Sequence, residues 1–178
     1  MILQTIAASS TTIVSNSALW IPAIAGIVGA LVGAIAAIFP NLVVESYRLR
    51  KEASSVEASL IAEISALVDI AGERKYLDSI GDVISHLKTQ PAGATYAFQV
   101  NVPAHYSRIY QDNAHRIGLI DKDRAADIVR FHQLIDAVVQ DIAHGGIIFE
   151  GAPLAAFEEN HQILSRGLAL GRKLVGRT

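Results

Sequence analysis

The first 44 residues carry no charged side chain. All 15 Lys and Arg residues lie at Arg48 or later, and all 17 Asp and Glu residues lie at Glu45 or later. Within the uncharged block, residues 19–39 read LWIPAIAGIVGALVGAIAAIF, a run whose one polar side-chain group is the Trp20 indole N–H. A helix rises about 1.5 Å per residue, so this run spans roughly 30 Å, the hydrocarbon thickness of a bilayer. Its Leu, Ile, Val and Phe residues favour insertion by roughly 3–6 kcal/mol in total. A cleaved signal peptide needs a basic start and a shorter apolar core, and this chain has neither.

The flanks set a direction. Arg48, Arg50 and Lys51 follow the run, and no Lys or Arg precedes it. Positive residues stay on the cytoplasmic side, so the expected topology has the N-terminus outside and the C-terminal part inside. Trp20 and Tyr47 suit the outer and inner interfacial belts, beside the basic anchors Arg48, Arg50 and Lys51. The expected organisation is a short non-cytoplasmic tail at 1–18, a transmembrane helix at 19–44 and a cytoplasmic helical domain at 45–178. The expected location is the cell inner (plasma) membrane.

Small residues recur along the run at four-residue steps. Gly26, Ala30 and Ala34 make one ladder, and Gly29, Gly33 and Ala37 make the next. Such ladders let two helix backbones approach closely, so these six residues form an expected helix-packing interface.

After residue 44 the pattern is helical. Val56, Leu60, Ile64, Leu67, Val68 and Ala71 share one face, with Glu57, Glu63 and Asp69 off it. Leu77, Ile80, Val83, Ile84 and Leu87 form a second apolar set. Pro40 either kinks the chain or sits inside one continuing helix. Residues 91–103 break the pattern. With no second strand to pair with, they are expected to be a loop packed on the helices.

Residues 104–117 are expected to be helical and to end at Gly118. Asp121 then caps a helix whose apolar face carries Ile128, Phe131, His132, Ile135, Val138, Val139 and Ile142. Gly145 and Gly146 stop it. An exposed Ile147-Ile148-Phe149 triplet is expected before a last helix over Leu154–Val175, which buries Phe157, Leu164, Leu168 and Val175. The fold class is therefore all-α: one transmembrane helix plus a small cytoplasmic bundle of four or five helices.

Chemistry is sparse. There are no cysteines, which excludes disulfides and thiolate ligation. Net charge is -2, without the basic excess that nucleic-acid binding needs. No histidine pattern, phosphate loop or nucleophile elbow is present. Three His/carboxylate pairs sit at helical spacing: Asp112 with His115, His132 with Asp136, and Glu158 with His161. Each is read as a surface ion pair, and His132 as a satisfied core residue. No catalytic, metal or cofactor site is expected.

One pattern runs through most of the chain. It joins the Gly/Ala-rich anchor, Glu63-Ile64-Ser65-Ala66-Leu67, Asn113, Ile117-Gly118-Leu119-Ile120 and Ile128-Val129-Arg130-Phe131-His132. It resembles small, uncharacterised bacterial single-pass membrane proteins with an N-terminal anchor and a helical cytoplasmic domain. The chain departs at His132, where Tyr is more usual. The resemblance implies this architecture and no activity.

The expected function is that of an interaction or scaffold protein of the membrane. Its partners are lipid and either copies of itself or other membrane subunits. A membrane-perturbing effector of the toxin or phage-defence type uses the same anchor and is the alternative reading. A membrane-associated enzyme is the third.

Overall fold

The computed structural model describes residues 17–176, without the side chains at 17–19, 21–23 and 35–42. The expected tail at 1–18 thus lies outside the described residues except for its last two positions, and so does the side chain of Ala37. The chain is mostly helical: α1 (Ser17–Glu73), α2 (Tyr76–Lys88), α3 (Arg108–Asn113), α4 (Lys122–Ile142), α5 (Ile147–Glu150) and α6 (Leu154–Val175). α1 runs through Pro40 without a break, the second of the two courses open to it. The chain divides into two compact units between Arg48 and Leu49.

Among the described residues, the first unit is the N-terminal part of α1. Trp20, Ile24, Ile27, Leu31, Val32 and Tyr47 are all more than half exposed there. No helix is long and apolar enough, among the described residues, to cross a membrane.

The second unit has its own core. Val56, Leu60, Ile64 and Val68 recur every four residues on α1 and are buried together with Ile80, Val83 and Leu87 of α2. α4 supplies Ile128, Phe131, Val138 and Ile142, and α6 supplies Phe157, Leu164, Leu168 and Leu174. α6 packs on both α4 and α2. Gly171 makes the close approach possible. A Cβ there would lie 2.6 Å from Val68 Cγ2 and 2.7 Å from Phe131 Cε2.

The turn between α1 and α2 is made by Lys75, at φ 52 and ψ 38 in the left-handed region, while Gly72 stays helical. Asp121 caps α4 as expected, accepting from Asp123 N–H at 3.1 Å and Arg124 N–H at 3.2 Å. Arg124 then bridges Glu57 at 2.7 Å and the Leu174 carbonyl at 3.1 Å, tying α1 and the end of α6 to α4.

Several local expectations are corrected. The segment expected to stay unpaired forms β1 (Thr95–Tyr96), which pairs antiparallel with β2 (Ala152–Pro153). Two-residue strands leave no alternation to read, so only tertiary packing brings them together. The helix expected over 104–117 shrinks to α3 and continues as a 3₁₀ helix, Ala114–Leu119, which runs through Gly118. The Ile147-Ile148-Phe149 triplet is one helical turn rather than an exposed loop. Ile148 is fully buried and Ile147 is 56% exposed. On α6, Leu174 is buried in place of Val175, which is only partly covered.

Candidate functional site

Four polar side chains are buried in the second unit: Glu63, Ser107, His132 and Asn160. The first three lie around one joint. The three-residue step from Leu60 and the four-residue step to Leu67 put Glu63 at the edge of the buried stripe of α1. Its carboxylate turns inward, correcting its place off the apolar face. Oε1 accepts from Ile109 N–H at 2.7 Å, and Oε2 from Tyr110 N–H at 2.9 Å.

Those amides are the second and third of α3. Ser107, at the cap position, makes no capping bond of its own; its hydroxyl accepts from Gln111 Nε2 at 3.1 Å. Glu63 therefore caps α3 from a different helix, satisfying two amides that have no partner within it. The negative charge also meets the positive end of the helix.

His132 closes the joint from α4. Tyr110 stacks on its ring with centroids 3.9 Å apart and planes 16° apart, and Phe131 meets it edge-on at 5.2 Å. His132 is core, as expected, but it is not satisfied. Neither ring nitrogen has a hydrogen-bond partner among the described residues. Nε2 is 3.9 Å from Glu63 Oε2, beyond hydrogen-bond range.

Burial sets the protonation states. Desolvation lowers the His132 pKa to about 4, so the ring is neutral near pH 7. The 3.9 Å approach to Glu63 is therefore not an ion pair there. Desolvation raises the Glu63 pKa; the two backbone N–H bonds pull it down, and Asp112 pushes it up.

A cavity of about 330 Å³ lies beside this joint. α1, α2, α4, α6 and the segment at 98–106 line it. Leu67, Ala71, Ile135 and Val139 all face it. Periodicity puts these four on core faces, yet they are only partly buried, because the space before them is unfilled. Arg74, Asn101 and His105 are its exposed polar lining residues. Tyr106 also lines it, and its hydroxyl donates to Asp136, whose pKa is raised by burial. Glu63 and His132 are not among the residues that line the cavity.

None of the three His/carboxylate pairs read from spacing forms. Asp112 lies 3.7 Å from Arg108, Asp136 accepts from Tyr106, and Glu158 lies 3.0 Å from Lys88. No group of three or more His, Asp or Glu residues is placed to hold a metal, among the described residues. Sequence spacing missed the Glu63–His132 approach because it joins α1 to α4. The signal available was the place of Glu63 beside Leu60 and Leu67.

The expected packing interface lies in the first unit. A Cβ added at Gly26, Gly29 or Gly33 would meet nothing within 4 Å, and Ala30 and Ala34 are exposed. Both ladders are uncovered at their described positions. Trp20, Tyr47, Arg48, Arg50 and Lys51 are exposed as well. Against known protein families, curated proteins and solved structures, the chain has no match.

Proposed function

We propose that this chain is a single-pass inner-membrane interaction protein, with its N-terminus outside and its helical unit presented to the cytoplasm. Residues 19–44 would cross the bilayer and associate through the ladders with a second copy or with other membrane subunits. The observation that carries this reading is the uncharged 44-residue block, whose described apolar side chains are uncovered.

Contiguous exposed apolar surface is costly in water, about 25 cal/mol per Å². Lipid, or the face of another helix, removes that cost. The basic residues at 48, 50 and 51 support the orientation.

Carbonate extraction of membranes expressing the full chain tests the anchor. The expected result is retention of the protein in the pellet. Release into the supernatant would overturn the reading. Protease protection in sealed spheroplasts then tests direction: residues 49–176 should resist external protease.

A further inference from the structure

We propose that the cavity of the helical unit binds one single-chain fatty acid, its acyl chain among the apolar walls and its carboxylate at Arg74 and His105. The inference is independent of the anchor, because every lining residue lies in the second unit.

The apolar part of the argument is the unfilled core. Leu67 and Ala71 of α1 and Ile135 and Val139 of α4 stand at core periodicity but face open space. Ile70 also lines the cavity and remains 48% exposed. Ligand clefts run from about 300 to 1,000 Å³, so 330 Å³ is at the small end. That favours one chain over the two of a phospholipid.

The polar part is its distribution. Deeply placed lining residues such as Ile80, Val138 and Leu168 are buried and apolar, while Arg74, Asn101 and His105 are exposed. An amphiphile fits that gradient with its head outward. The planar Arg74 guanidinium can take a carboxylate in two parallel N–H···O bonds. No acidic residue lines the cavity to repel it. Tyr106 is not part of the head site, since its hydroxyl is committed to Asp136.

The test uses the full chain in nanodiscs with a diazirine-bearing dodecanoic acid, photolysed and mapped by peptide mass spectrometry. The matching neutral alkanol and a two-chain diazirine phospholipid are run beside it. The acid should label peptides spanning 67–74, 98–106 and 135–142. Ala71→Phe fills the cavity and should abolish that label while leaving any label at 19–44 unchanged. Arg74→Gln, on the surface, should reduce acid labelling of the cavity about tenfold and leave alkanol labelling unchanged.

Acid label confined to 19–44 would overturn the proposal. So would cavity label that survives Arg74→Gln at full strength, or phospholipid label there equal to that of the acid. Arg74→Gln keeps the test decisive if Ala71→Phe does not fold.

Discussion

Glu63 and Tyr110 are joined across 47 positions of sequence: the α1 carboxylate accepts the Tyr110 N–H at 2.9 Å while its other oxygen takes Ile109. Glu63→Ala leaves both amides without that partner in a part-buried site. A loss of about 2–4 kcal/mol is expected, and Glu63→Gln should lose less, because it keeps one acceptor oxygen. Hydrogen exchange checks this residue by residue. Ile109 and Tyr110 amides should speed up in Glu63→Ala by more than those of α4.

His132 makes the helical unit acid-sensitive. Its folded pKa is about 4, against about 6.5 for an unfolded imidazole. Between those values the unfolded chain holds a proton that the folded one does not. The contribution of His132 to stability is therefore full above pH 6.5 and falls as pH drops towards 4, by up to about 3 kcal/mol. Glu63 and Asp136 work the other way: their raised pKa values make the folded state the better proton binder in acid. His132→Phe, which keeps a flat ring against Tyr110, should flatten or reverse the acid loss. Denaturant midpoints at pH 7 and pH 4.5 for the two chains measure the difference.

Two glycines should respond with opposite signs. Gly171→Ala drives a Cβ into Val68 and Phe131, so a loss of about 1–3 kcal/mol is expected. Gly81, inside α2, would bring its Cβ no closer than 3.9 Å to His161 Nε2. Gly81→Ala should therefore stabilise by about 0.5–1 kcal/mol through helix propensity. Paired thermal melts of the two variants against the parent chain decide both signs.

Association in the membrane should depend on the ladders. Gly29→Ile combined with Gly33→Ile places branched side chains where a partner backbone would approach. Cross-linking in native membranes should then fall to background, while membrane retention stays unchanged. Undiminished cross-linking would remove the ladders from the interface.

What could be read from sequence is what is held locally. Asp121 caps the helix it precedes, and Leu154–Val175 is helical over the expected span, because both depend on neighbours within a turn. The four-residue steps from Val56 to Val68 likewise name the buried stripe of α1. The rest depends on distant partners. Asp136 turns to Tyr106 instead of His132, and Glu158 to Lys88 instead of His161. Ile148 is buried because other elements close over it. The inward turn of Glu63 is visible only once α3 lies against α1.

The trans cap has a mechanical consequence. A helix advances about 1.5 Å per residue, and a hydrogen bond tolerates only a few tenths of an ångström. The part of α1 from 49 to 73 therefore cannot slide along the bundle by even one residue without dropping α3. His105 and Tyr106 enter the cavity wall just before α3 begins. Glu63 thus fixes the start of α3, directly after two residues of the cavity wall, at one position along α1.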